Sequence, residues 1–349
     1  MVGDPLILAF ESSCDDTSVA LVQGTTVLAN LISSQAIHAE WGGVIPELAS
    51  RAHLEIIGPL TKEALRQAGV GMEQVDALAC TTQPGLLGAL LVGASYAKGL
   101  SLRYGLPCVP VHHIEGHLYS AYLEDPSLPF PSISLVVSGG HTSLFLTESF
   151  SKYTILGSTR DDAAGEAFDK AAKLLGLGYP GGAVIDNRST RERKDVIRFP
   201  RALANEAGYE FSFSGVKTAV RRHILENHPK GMTERECDEI CSSLQEAIVD
   251  VLVTKTMRAV REYGVEAVVI SGGVSANSRL RERFAEESVN HGIRFTAPRI
   301  SYSLDNAAMI GFLAHKKLLS DGPESYRQLD FEVSARGYRD HRHGSRVNR

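Results

Sequence analysis

The sequence predicts an α/β fold made of two similar lobes. Three observations carry that expectation. Apolar, β-branched runs alternate with stretches of helical spacing, the pattern of strands linked by helices. A strand, a short polar turn and a second strand open the chain, "LILAFESSCDDTSVALVQG". The same arrangement, "SISLVVSGGHTSLFLTES", returns about 125 residues later, and recurrence at that distance marks an internal repeat.

The elements follow in order. "PLILAF" and "TSVALVQG" read as strands on either side of the turn "ESSCDD". "IPELASRAHLEIIGPLTKEALRQAG" has helical spacing, with Pro46 in the first turn, where a missing N–H leaves nothing unpaired. "VDALACTT" reads as a buried strand, and "GLLGALLVGASYAKGLSLRYG" as an apolar helix ending near Gly105. "PCVPV" is another strand, after which "HHIEGH" opens a helix. In the second half come the repeated hairpin, the long helix "CDEICSSLQEAIVDVLVTKTMRAVREYG", the strand "VEAVVISGG" and the turn "GGVSANSRLRERF". "PSLPFPS", residues 126–132, reads as the joint. The expected division is therefore residues 1–130, residues 131–333, and a basic, flexible tail at 334–349.

Composition limits the classes available. A chain of 349 residues holds about two domains of ~150 residues. With 43% hydrophobic and 22% charged residues it can bury a core. Its five cysteines are scattered without a CxxC pair, which points away from a disulfide framework or a thiolate zinc site. No apolar run reaches the ~18 residues of a membrane span, and the first ten residues lack the basic region of a signal peptide. The expected compartment is the cytoplasm. The formal net charge of -5 confines any nucleic-acid contact to local basic patches.

Four Gly-Gly pairs stand at strand ends: Gly42-Gly43, Gly139-Gly140, Gly181-Gly182 and Gly272-Gly273. Backbone N–H groups in such turns can wrap an anion, so a phosphate-bearing ligand is expected. There is no GxxxxGK[ST] and no GxGxxG after a strand, which disfavours a P-loop and a dinucleotide fold.

His113 and His117 are four apart, on one face of a helix. His112 diverges from that face. Glu115 lies about 200° around the helix from His113, so the hydrolytic base of an HExxH peptidase is missing; its place is held by Ile114. Two histidines at this spacing most often only pack or cap. Gly116 thins the helix beside them, and Asp305 stands at the start of "DNAAMIGFLAHKKL", where a carboxylate often serves as a helix cap. If Asp305 faces the pair, the set becomes two histidines and one carboxylate, with open positions suited to Fe(II) or Zn(II).

Nine motifs in order resemble one family. "ESSCDDTSVAL", "GGVIPELASRAH", "TTQPGLLGALLVG", "HHIEGH", "VSGGHTSL", "GEAFDKAAKLLGLGYPGG", "FSFSGVKTA", "SGGVSANSRLR" and "DNAAMIG" look like the TsaD family, also called Gcp. The resemblance runs from Leu6 to about Leu313. It implies a two-lobed fold of the actin/Hsp70/sugar-kinase (ribonuclease H-like) type. It implies transfer of a threonylcarbamoyl group from threonylcarbamoyl-adenylate to the adenosine beside the anticodon of ANN-decoding tRNAs. It places metal ligands at His113, His117 and Asp305, with one divalent metal per subunit, iron(II) ahead of zinc(II). Ligand-binding positions fall on Val136, Val137, Ser138, Gly139, Gly140, Asp169, Gly182, Asp186 and Asn277. An acidic pair falls on Asp15 and Asp16, with catalytic roles implied. Implied partners are tRNA, a paralogous scaffold subunit and a small ATPase, of the bacterial TsaB and TsaE types.

Structural roles compete at each position. Asp15 and Asp16 suit a turn, although two carboxylates in one turn call for a cation nearby. Asp169 can be a solvated helix charge, and Asn277 a cap. Two departures stand out. Asp16 is shorter than the usual glutamate, and Val136 replaces a tyrosine seen in archaeal and eukaryotic relatives, which points to the bacterial branch. For tRNA, residues 187–201 form a basic stretch with Arg188, Arg191, Arg193, Lys194, Arg198 and Arg201. Rival readings are a carbamoyltransferase using carbamoyl-adenylate, an ATPase or sugar kinase, and a non-catalytic nucleotide-binding scaffold.

Overall fold

The structure, a computed structural model, describes residues 3–35, 37–38, 43–190 and 195–336. Leu6–Glu11 (β1) and Asp16–Gln23 (β2) form an antiparallel hairpin in which Phe10 pairs with Val19. Thr26–Ser34 (β3) extends it antiparallel to β2. Pro46–Ala68 (α1) starts on a proline at its first position and ends at Gly69, whose φ of 69° makes a left-handed cap. Ala77–Gln83 (β4), Leu87–Tyr104 (α2), Cys108–His112 (β5) and His113–Tyr119 (α3) follow. β4 joins β1 in parallel and β5 joins β4, so the sheet order is β3-β2-β1-β4-β5. All six residues of β1 are buried, as expected of a strand with neighbours on both sides and helices on both faces.

Ser132–Val137 (β6), Thr142–Ser149 (β7) and Lys152–Ser158 (β8) repeat the antiparallel start. Helices Ala164–Leu174 (α4), Gly181–Arg188 (α5), Ser214–Asn227 (α6) and Glu234–Tyr263 (α7) come next. The long α7 begins in a capping box, with Thr233 and Glu236 serving each other's backbone N–H. Ala267–Ser271 (β9), Ser278–His291 (α8), Arg294–Thr296 (β10) and the short Ile300–Ser303 (α9) complete this half. The second sheet runs β10-β9-β6-β7-β8. Numbered from its own first strand, that is the same 3-2-1-4-5 winding as the first. β3 and β8, the third strand of each sheet, were not expected from the sequence.

The chain then turns into Ala307–Asp321 (α10), which packs on β1 and β2. Two compact units result: residues 1–127 with 304–349, and residues 128–303. The sequence division at 130/131 is therefore corrected. Residues 304–333, assigned above to the second lobe, belong to the first, because α10 buries Ala307 through Leu313 against that lobe's sheet and α3. Leu329, Phe331 and Val333 also pack on the first unit's core. Ser334, expected to begin a flexible tail, donates its N–H to the Thr82 carbonyl at 2.9 Å. Residues 337–349 lie outside the described residues, as do Arg191, Arg193, Lys194 and Gly42.

Candidate functional site

The first unit gathers a metal-type donor set. α3 begins directly after β5, so the strand sets the helix in place and carries His113 and His117 on one face. Both are buried, and their rings meet edge to face with centroids 4.7 Å apart. Asp305 comes from the segment leading into α10. It is not the helix cap: Asn306 is, accepting from Met309 N–H. Asp305 Oδ1 lies 2.9 Å from His117 Nε2 and 3.5 Å from His113 Nε2. One donor atom from each of the three residues falls within 4.8 Å of the others. Donors around one ion at ~2.1 Å stand up to ~4.2 Å apart, so a small side-chain rotation closes the set. Two imidazoles and one carboxylate leave positions open for a substrate. Glu115 faces Lys317 at 3.7 Å and takes no part.

Behind His113 stands a residue the sequence reading passed over. Glu11, at the end of β1, is fully buried. Its carboxylate accepts from Ser13 N–H at 2.6 Å and Thr81 Oγ1 at 2.5 Å, and lies 3.0 Å from His113 Nδ1. Burial alone would pull His113 down, but the Glu11 and Asp305 carboxylates outweigh it and raise it to about 9. Burial pushes Glu11 up; His113 reverses that and leaves it lowered. Two carboxylates around buried imidazoles make a field that a cation answers, and the residues present fit a divalent metal. The signal in the sequence was a lone acid ending an otherwise apolar run.

Asp15 sits in the turn between β1 and β2 and Asp16 opens β2, both partly exposed. His53 of α1 holds that turn, with Nδ1 at 2.7 Å from Thr17 Oγ1 and Nε2 at 2.9 Å from the Cys14 carbonyl. Burial, helped by Asp305, Asp15 and Glu11, raises Asp16 to about 6 against the opposing hydrogen bond of Ser34. Burial and Asp15 likewise push the Cys14 thiol up.

The second unit holds the other expected positions. Val136 and Val137 are buried in β6. Ser138 closes the turn after it: its N–H donates to the His141 carbonyl at 2.8 Å, and its hydroxyl accepts from His141 N–H at 3.2 Å. Gly139 and Gly140 are exposed, and a Cβ on either would meet nothing within 4 Å. That turn has room for a ligand. Gly181 is different, since a Cβ there would come 2.7 Å from Asp169 Cα. It serves the close packing of α5 on α4.

Asp169, Asp186 and Asn277 are engaged with the protein itself. Asp169 Oδ1 accepts from Gly181 N–H at 2.8 Å, and its carboxyl stays raised by burial although Gly181 and Gly182 oppose this. Asp186 accepts from the Ser278 N–H at 3.0 Å and hydroxyl at 2.7 Å. Asn277 is the cap of α8, accepting from Leu280 N–H at 2.9 Å and donating to Gln245 Oε1 at 2.7 Å. All three brace the turns around α5 and α8. Of the basic stretch, Arg188 pairs with Glu234 and Asp238, and Arg201 with Asp195 and Asp250. Arg198 is exposed.

Two lobes of matching 3-2-1-4-5 winding, with a metal-type donor set in the first, define a member of the actin-like class of α/β proteins. The (R)-2-hydroxyglutaryl-CoA dehydratase component A of Acidaminococcus fermentans shares the fold with a TM-score of 0.53 at 15% identity, over 90% of this chain and 99% of that one. Full-length HypF, in its phosphate- and nucleotide-bound form, gives 0.59 at 15% identity over 92% of this chain and 48% of that one.

Sequence similarity is far closer elsewhere. Residues 26–312 match the TsaD family, tRNA N6-adenosine threonylcarbamoyltransferase, and the chain belongs to it. The member from Pelobacter propionicus is 50% identical over 332 residues, covering 95% of this chain and 96% of the relative. That from Persephonella marina is 47% identical over 321 residues, covering 90% and 91%.

Proposed function

We propose that this chain transfers the threonylcarbamoyl group of threonylcarbamoyl-adenylate to N6 of the adenosine beside the anticodon in ANN-decoding tRNAs. The observation that carries the reading is the convergence of His113, His117 and Asp305 in a chain of this family. The amine nitrogen attacks the carbamoyl carbon, the bond from that carbon to the phosphate oxygen breaks, and AMP leaves. AMP is a good leaving group, so the protein's task is orientation and stabilisation of developing negative charge.

Each residue has a part in this reading. One divalent metal, iron(II) ahead of zinc(II), is held by His113, His117 and Asp305. When bound it supplies Lewis acidity toward donor oxygens. Asp16, raised towards neutrality, suits acceptance of the amine proton, and Asp15 supplies negative charge beside it. The open turn after Ser138 offers the backbone N–H groups of Gly139 and Gly140 to the phosphate, with Val136 and Val137 fixing its base and Ser138 closing it onto His141. Asp169 offers its remaining acceptor capacity to a ribose hydroxyl. Gly182, Asp186 and Asn277 hold the nucleoside side through the backbone they brace. Arg198 is the described cation of the 187–201 stretch open to tRNA phosphate. A paralogous scaffold, a small ATPase and a cytoplasmic setting complete the reading.

The test is mass spectrometry of nucleosides from tRNA incubated with the protein, threonine, bicarbonate, ATP and an adenylate-forming enzyme, with and without the two partner proteins. Threonylcarbamoyladenosine is expected with the wild type and lost with His113→Ala. No product in any lane from metal-loaded protein would overturn the reading in favour of a small-molecule acceptor. Metal analysis of protein purified without oxygen decides between iron and zinc.

A further inference from the structure

We propose that Glu11 is a positioning residue for the metal centre: it holds the proton of His113 on Nδ1 and so turns the Nε2 lone pair toward Asp305 and His117. The inference rests on the metal reading of those three residues. A neutral imidazole has one N–H and one lone pair, and the partner of one nitrogen decides the state of the other. His113 Nδ1 lies 3.0 Å from Glu11 Oε2 and 3.2 Å from Ser13 Oγ, while its Nε2 faces Asp305 at 3.5 Å. The Glu11 carboxylate thus faces one ring nitrogen and the candidate donor set the other, an arrangement that would orient the ring and raise its basicity as a ligand.

Glu11 is itself immobilised. The Ser13 N–H and the Thr81 hydroxyl hold its two oxygens, and the side chain has no solvent exposure. A buried carboxylate at the end of an apolar strand is costly unless paired, and among the described residues its charged partner in contact is His113. The other histidine is built differently. His117 Nδ1 is buried and has no hydrogen-bond partner among the described residues. The two ligands are therefore unequal, and His113 is the one whose tautomer the protein sets.

Glu11→Gln keeps size and shape but reverses the logic. With its carbonyl accepting from Ser13 N–H, the amide N–H₂ faces His113 Nδ1, which must then accept. The proton moves to Nε2, where it blocks the metal. The experiment titrates Zn(II) against a competing chelator in wild type, Glu11→Gln, His113→Ala and the double variant, with circular dichroism to verify folding. Glu11→Gln is expected to weaken Zn(II) binding by about 10–100-fold, and to add nothing further in the His113→Ala background. Affinity within about twofold of wild type would overturn the proposal, as would an equal loss in both backgrounds. If Glu11→Gln does not fold, Thr81→Val removes one of the two anchors with little change in shape. A several-fold loss of affinity supports the proposal and an unchanged affinity refutes it. A wild type that binds no Zn(II) would instead refute the metal reading beneath it.

Discussion

A Cβ on Gly116 would stand 3.0 Å from Ile310 Cδ1 and 3.2 Å from Met309 Cγ. The histidine helix α3 and the returning helix α10 thus touch where the first has no side chain. The contact lies one residue before His117 and four to five residues past Asp305, so it bears on the distance between the two histidines and the carboxylate. Gly116→Val forces the helices apart. Overpacking of this kind costs about 1–3 kcal/mol. The expected outcome is a lower Tm together with weaker Zn(II) binding. A lower Tm with unchanged metal affinity would show that the helix contact does not govern the site.

The legibility of this site follows from which contacts are local. His113 and His117 were readable because a four-residue spacing on a helix is local geometry. Asp305 could be named but not placed, since only the return of α10 to the first unit brings it 188 residues back to His117. Glu11 was missed because periodicity describes the sheet's apolar faces, not what a side chain at a strand end meets on the next strand. β3 and β8 were missed because they are outer, half-exposed strands, where burial imposes little alternation. Asp186 and Asn277 were ligand positions by resemblance alone, and the structure finds their side chains occupied with Ser278, Leu280 and Gln245.

Asp169 allows cap and ligand to be separated. Its Oδ1 accepts from Gly181 N–H at the start of α5. Asp169→Ala removes that acceptor and is expected to cost about 1 kcal/mol of stability. Asp169→Asn keeps a carbonyl oxygen and should retain the fold. If the carboxylate also holds a ribose, the Asn variant binds AMP more weakly than wild type while unfolding at the same temperature. Equal AMP binding by isothermal titration would leave Asp169 with the bracing role only.

The pH dependence of the metal-free protein should carry the mark of Asp16. Burial raises its carboxyl to about 6, above the ~3.9 of an unfolded chain. The folded state therefore binds the proton more tightly. The stability this brings is fully present below pH ~3.9 and is lost as pH rises through about 6. Above that, an ionised Asp16 sits beside Asp15, Glu11 and Asp305. Asp16→Asn removes the ionisation and should raise stability by about 1–3 kcal/mol at pH 7.5, with little change at pH 4. Urea unfolding of wild type and variant across that range measures the difference. A gap that does not widen between pH 4 and 7.5 would refute the assignment.

The last described residues form a strap whose removal should be felt at the candidate metal site. Leu329, Phe331 and Val333 pack on the first unit's core, and Lys98 lies over the Phe331 ring at 4.2 Å while donating to its carbonyl at 2.6 Å. Further on, Ser334 N–H reaches the Thr82 carbonyl at 2.9 Å and Gly85 N–H reaches Ala335 O at 3.4 Å. The loop so held lies next to Thr81, which binds Glu11, and its Leu86 N–H holds the Ser13 carbonyl at 2.8 Å. Strap, loop and turn are thus linked in series to the carboxylate behind His113. Phe331→Ala deletes packing worth about 1–2 kcal/mol but leaves the backbone links, so it should lower Tm and spare Zn(II) affinity. Truncation after Gln328 removes packing and links together, so it should lower Tm further and weaken Zn(II) binding several-fold. Truncation that lowers Tm but leaves Zn(II) affinity at the wild-type value would show that the loop holds its place without the strap.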